Sequence, residues 1–341
     1  MARNLKHARL IAWAQFRQSG IGTPLDKDDL VQDIELNDPL TYALELDEIS
    51  NRGLVGKGHE FETDRYLNSR HLTGSVPQQA LPARFINYIA AACLGNISTG
   101  AAAPVYTQTI KWNPVGTTAQ GWPISFGIDD DGSDIVLNDV HILNFNISGD
   151  GQNRVEMGFD FVGTKTSALA TMTWPTIAAE NYVHNNSGVF TVATVDKKSQ
   201  LRSFNLAVNP GVDMDRAWRK LATEAARPFP SAFPFNPETS EVTLTLSLEA
   251  EDADLGVWRG YRTSETEVEL VISALGAAIN GSPFTIGFEI HRGIVTEINH
   301  SWEDGILILN PTIIPRYDTS AATPLTITNI TADAAPIAAA S

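Results

Sequence analysis

The sequence predicts a mainly β protein built as two sheet modules with short helices. Charged residues make up only 19% of the 341 residues, while Thr, Ser, Asn and Gly are abundant, a mixture suited to strands and turns. Several stretches alternate apolar and polar residues with period two, the mark of half-buried strands. No run of about 18 apolar residues occurs, so no membrane-spanning helix is expected.

Residues 1–34 read as an arm. Arg3, Lys6, Arg9 and Arg17 make its first 25 residues basic. Leu10, Ile11, Trp13, Ala14 and Phe16 suggest one apolar side of a partly helical stretch, ended by Gly20, Gly22 and Pro24. Such an arm needs a surface, either its own domain or a neighbouring subunit. Basic amphipathic starts also serve as targeting or membrane-surface segments.

The first module spans residues 35–163. Leu40, Tyr42, Leu44 and Leu46 alternate with Thr41, Ala43 and Glu45 as an opening strand. A polar loop over residues 47–68, with Gly53, Gly56 and Gly58, leads to a return strand at 70–76. Phe85, Ile86, Ile89 and Cys93 then form a helical stripe, with Pro82 suited to the first turn and Gly95 to the left-handed position past the end. Residues 96–121 read as a loop-rich connection. Strands follow at 124–128 and 135–148, and a Gly149-Asp150-Gly151 turn leads to the alternating Val155, Met157, Phe159 and Phe161.

Residues 164–240 read as a connecting segment with weaker strands, a short helix at 213–226 and a proline-rich linker. The second module, 241–331, opens on the most regular alternation in the chain: Val242, Leu244, Leu246 and Leu248. An acidic, glycine-containing loop over 251–260 precedes further strands at 268–272, 284–290, 294–298, 306–314 and 325–331. Residues 332–341 read as a tail. Pairing residues 40–46 with 242–248 suggests a faint duplication, in which the second module lacks a counterpart of the first helix.

The chemistry-bearing motifs are decoys. Residues 53–58 fail the phosphate-loop spacing, because Lys57 is followed by glycine. His59-Glu60 lacks a second histidine for zinc, and Asp129-Asp130-Asp131-Gly132 reads as a turn. Cys93, the one cysteine, lies on an apolar helix face and reads as a buried structural thiol. No catalytic residue, cofactor or metal is therefore assigned. The net charge is −16, and the basic first 25 residues leave the remainder at −20. Such a body disfavours tight nucleic-acid contact and keeps DNA from adhering to a surface it slides past. Glu267 and Glu269 flank an apolar position and face away from the core: a solvated face, or the wall of a polar channel if strands close into a barrel.

Leu44-Glu45-Leu46-Asp47-Glu48-Ile49-Ser50-Asn51-Arg52-Gly53, then Leu72-Thr73-Gly74-Ser75-Val76-Pro77, then the helix from Phe85 to Leu94-Gly95 resemble the tail tube proteins of long-tailed bacteriophages. Residues 126–145, 241–249 and 306–311 are similar to later parts of that family, although Asn310 displaces the usual closing order. The resemblance implies two β-sandwich or half-barrel tail-tube modules assembling into a ring with a continuous inner β-barrel. It implies a virion tail protein, made in the host cytoplasm, without catalysis or cofactor. Its partners would be copies of itself, three per ring with pseudo-six-fold symmetry or six, together with stacked rings, a tape-measure protein and transiting DNA, but no membrane. Arg3, Lys6, Arg9, Arg17, Arg52 and Lys57 are the candidates for ring-to-ring contact. Glu45, Glu249, Glu267 and Glu269 are the candidates for the lumen. The alternatives are a terminator or hub built on the same module, or a receptor- or carbohydrate-binding β-sandwich with Trp112, Trp122, Trp258 and Trp302 as a sugar platform.

Overall fold

The computed structural model describes residues 9–12, 16–17, 40–51, 64–100, 104–112, 121–129, 135–151, 153–168, 182–214, 236, 238–251, 253–332 and 338–339. It is mainly β, with two helices among the described residues. In chain order the elements are β1 (Arg9–Ala12), β2 (Phe16–Arg17), β3 (Thr41–Asn51), β4 (Asp64–Ala80), α1 (Ala83–Leu94), β5 (Gly95–Gly100), β6 (Tyr106–Trp112), β7 (Ile124–Asp129), β8 (Ile135–Asp150), β9 (Glu156–Gly163), β10 (Lys165–Ala168), β11 (Val183–His184), β12 (Phe190–Val192), β13 (Val195–Asp196), β14 (Leu201–Asn209), β15 (Glu241–Glu249), α2 (Asp254–Thr263), β16 (Val268–Ile279), β17 (Ser282–Glu303), β18 (Ile306–Pro315), β19 (Thr326–Thr331) and β20 (Ala338–Ala339).

An antiparallel ladder of eight strands runs β3–β4–β9–β8–β14–β15–β18–β17. β17 is long enough to serve two layers. Its residues 293–303 pair with β18, whereas residues 282–293 pair with β16 and 285–289 with β19. β19 passes the second layer on to β6, and β6 to β5. α1 touches β8 of the first layer and β5, β6, β17 and β19 of the second. Every α1 residue except Arg84 is buried, as expected of a helix enclosed on all sides. Its Phe85 meets Phe159 at 5.9 Å, and Phe126 stands edge-on to Phe161 at 5.3 Å. Phe204 of β14, in the stretch read as a connecting segment, meets Phe288 of β17 edge-on at 5.1 Å, joining the layers.

Local chemistry explains α1. Pro82 accepts the first amide bonds from Phe85 and Ile86, and Gly95 ends the helix in the left-handed conformation, φ 78°. Cys93 is buried as expected, and that burial pushes its thiol pKa up. β8 carries buried His141, whose pKa burial lowers to about 3. The unfolded chain therefore holds a proton on this ring up to about pH 6.5 that the folded chain rejects. The stability gained from a neutral His141 is complete above that pH and is lost on acidification, at about 1.4 kcal/mol per unit. H141Q is expected to flatten the fall in melting temperature between pH 6.5 and 4.5; an unchanged slope would remove His141 as its source.

The structure corrects four expectations. The arm segment Arg9–Ala12 is a strand on β7 of its own chain, with Leu10 opposite Ile128, and not a helix; an open sheet edge outweighs weak helical propensity. The β3–β4 hairpin extends further than expected, to Asn51 and Asp64, and of the loop read at 47–68 residues 52–63 lie outside the described residues. The connection read at 96–121 contains β5 and β6, whose alternation is disguised by buried Gln108. The acidic loop at 251–260 is largely α2. Asp254 anchors that helix: its carboxylate accepts from the Glu251 amide at 2.8 Å, Gln200 at 2.8 Å and Lys197 at 3.0 Å. The helix expected at 213–226 lies almost wholly outside the described residues.

Candidate assembly edges and a polar sheet face

The modules repeat one topology. In the first, two strands, a helix and, after β5–β7, two further strands give the order β3–β4–β9–β8; in the second, two strands, a helix and, after β16, two further strands give β14–β15–β18–β17. Equivalent positions follow from the register. One rung crosses Thr41, Ser75, Asp160 and Asn144. Its counterpart crosses Asn205, Thr245, Thr312 and Glu297. At the same offset from Ser75 and Thr245 lie Tyr88 of α1 and Trp258 of α2, both buried. α2 is thus the counterpart that the sequence seemed to lack. The duplication pairs β3 with β14 and β4 with β15, rather than residues 40–46 with 242–248.

The modules meet edge to edge. β8, last in the first module's order, pairs with β14, first in the second's, placing Ser148 opposite Asn205 and Ile147 opposite Leu206. Along this ladder one side is apolar and packed. The opposite side carries short polar residues, as in the continuous rung Glu156, Ser148, Asn205, Thr245, Thr312 and Glu297. Glu45, Asp150, Asp160, Glu241, Glu249 and Glu303 add to that face. Among described side chains in the stretches that pair in this ladder, Arg202 is the one Lys or Arg. It is held by Glu303 at 2.6 Å and Glu249 at 3.8 Å. Among the described side chains the face is therefore predominantly acidic.

Among the described residues its two margins are open: β3 pairs with β4 alone, and residues 294–303 of β17 pair with β18 alone. On the apolar side of these margins Tyr42 is 41% exposed, Leu44 45% and Trp302 70%. Large apolar side chains beside unpaired backbone invite another strand. β5, the margin of the second layer, instead exposes Asn96, Ser98 and Thr99.

The lumen candidates separate. Glu45 and Glu249 lie on the acidic face, Glu45 accepting a 3.5 Å bond from Thr73. Glu267 lies just before β16 and Glu269 within it, outside the eight strands. The Arg292 guanidinium grips Glu267 at 2.6 and 2.7 Å and holds its carboxyl below the usual range. Of the basic candidates, Arg3, Lys6, Arg52 and Lys57 fall outside the described residues; Arg9 and Arg17 are described in backbone only, in β1 and β2. Sequence reasoning missed Tyr42, Leu44, His300 and Trp302 as margin residues. The signal for the first two was present, but a period of two gives a face without saying whether anything covers it. Trp112, Trp122 and Trp258 are buried, so of the four tryptophans of the sugar platform only Trp302 stands at the surface.

A cavity of about 200 Å³ lies between β12, β15 and α2, lined by Phe190, Val192, Leu248, Val257, Trp258 and Tyr261. Its charged groups, Lys197 and Asp254, neutralise each other at 3.0 Å. Among the described residues no cluster of His, Cys, Asp or Glu is arranged to hold a metal ion. Comparisons with protein-family models and with curated proteins find no match.

Proposed function

We propose that this chain is a structural subunit of a bacteriophage tail tube, which self-assembles into rings that stack around a channel for DNA. The observation that carries the reading is the duplicated four-strand order, joined edge to edge into one sheet with an acidic face and open margins. A solitary protein gains nothing from apolar side chains at unpaired margins; a ring converts both margins into ladders. An acidic wall with short side chains repels phosphate and lets DNA pass without adhering. Glu45, Glu249 and the acids of the shared rung line the channel. Three two-module chains give a ring of pseudo-six-fold symmetry, and six would double it. Arg3, Lys6, Arg9, Arg17, Arg52 and Lys57 serve contacts between rings. The protein acts in the virion tail, with a tape-measure protein as lumen partner, and needs no catalysis, cofactor or membrane.

Negative-stain electron microscopy of concentrated protein is expected to reveal rings or tubes with a central channel. Particles that stay single at every concentration and salt tested would contradict the reading. A terminator or hub on the same module would form isolated rings that never stack.

A further inference from the structure

We infer that the joint between chains copies the joint inside the chain: β3 of one copy adds to residues 298–302 of β17 of the next, in antiparallel register. The inference rests on the self-assembly reading above, and the internal repeat specifies it to the residue. Inside the chain, Asn205 of β14 sits opposite Ser148, which lies four residues beyond the rung residue Asn144 on β8. Thr41 is the equivalent of Asn205, and Ser301 lies four residues beyond Glu297, the equivalent of Asn144. Transferred to two chains, the register sets Thr41 opposite Ser301, Tyr42 opposite His300, Ala43 opposite Asn299 and Leu44 opposite Ile298.

The side chains fit this placement. The margin residues on the apolar side, Tyr42 and Leu44, come against His300 and Ile298, with Trp302 beside them. Bulk is exchanged across the joint. Inside the chain Phe204 lies over Gly149, so closely that a Cβ on Gly149 would stand 2.6 Å from the Phe204 ring. Between chains the same two positions are Leu40 and Trp302, with the aromatic ring on the opposite strand. The inner ladder ends at Val208, the equivalent of Leu44. Glu45 and Glu297 therefore come level just past the last paired residues, where water screens them. The joint is heterologous, head to tail, so copies add in succession and do not stop at a dimer, and on the tube reading their rotation closes a ring.

Engineered cysteines test it, with native Cys93 buried and out of reach. Thr41→Cys with Ser301→Cys, and Tyr42→Cys with His300→Cys, place thiols in register at adjacent rungs, so one pair falls at the closer of the two antiparallel spacings. Ala43→Cys with Ser301→Cys is displaced by two residues and is the control, at roughly 7–8 Å. On mild oxidation at least one in-register variant is expected to give covalent multimers at least tenfold more efficiently than the control. Mixing the single variants Thr41→Cys and Ser301→Cys gives a covalent dimer that neither gives alone. If Thr41→Cys alone dimerises, or the control links best, while microscopy still finds rings, this joint is wrong and the tube reading stands. Absence of both cross-links and rings overturns both.

Discussion

Leu44→Asp is expected to stop assembly while leaving the fold of the single chain intact. Leu44 is 45% exposed on a margin strand, so no packed neighbour within the chain depends on it fully. In the assembled joint it is covered. The joint covers the exposed half of the side chain, so losing that burial costs about 1 kcal/mol, and enclosing a carboxylate there adds about 2 kcal/mol. A total of about 3 kcal/mol weakens each contact roughly 100-fold, and a ring multiplies the loss over its joints. Sedimentation velocity should find single chains where the parent protein forms large particles, with a melting temperature within a few degrees of the parent's. Unchanged particles would place Leu44 outside the joint; an unfolded variant would make it a core residue.

Trp258→Ala is expected to act the other way, on the fold. Trp258 is buried in α2 and stands edge-on to Tyr261 at 5.8 Å, in the position that Tyr88 takes in α1. Truncating a buried tryptophan removes its transfer energy and leaves a cavity, together about 3–5 kcal/mol. Urea unfolding should record that loss, and Trp258→Phe should recover most of it. A cost below about 1 kcal/mol would mean that Trp258 does not anchor α2 to the core.

Much of the fold was legible because strands and helix ends announce themselves locally. Val155 to Phe161 and Val242 to Leu248 alternate strictly, and Pro82 with Gly95 brackets α1. The misses share a physical cause, in which a distant partner overrides a local pattern. Gly256 and Gly260 argue against a helix, yet α2 is pinned by the bonds of Asp254 to Lys197 and Gln200. Gln108 breaks the apolar alternation of β6 and is satisfied in the core, where the Asn87 side-chain amide donates to it and Asn329 in turn donates to Asn87. The acidic face was only partly visible. Glu45 and Glu249 could be read from alternation, but Glu267 and Glu269 alternate equally well, and only the pairing of β16 sets them apart. The margins were the least legible feature. Tyr42 and Leu44 have the pattern of a covered strand, and nothing local distinguishes a cover from the same chain from one supplied by another.

The central claim is that two strand margins lie open in a lone chain and are closed by its copies. Hydrogen–deuterium exchange read at residues 41–45 and 298–302 tests it most directly, in dilute and in concentrated protein. The account predicts fast exchange of the alternate, outward-pointing amides of both stretches when dilute, and their strong, simultaneous protection when concentrated. The amides bonded to β4 and β18, and those of buried strands such as β8 and β14, stay protected throughout. Protection of the outward-pointing amides in either stretch that does not change with concentration would contradict it.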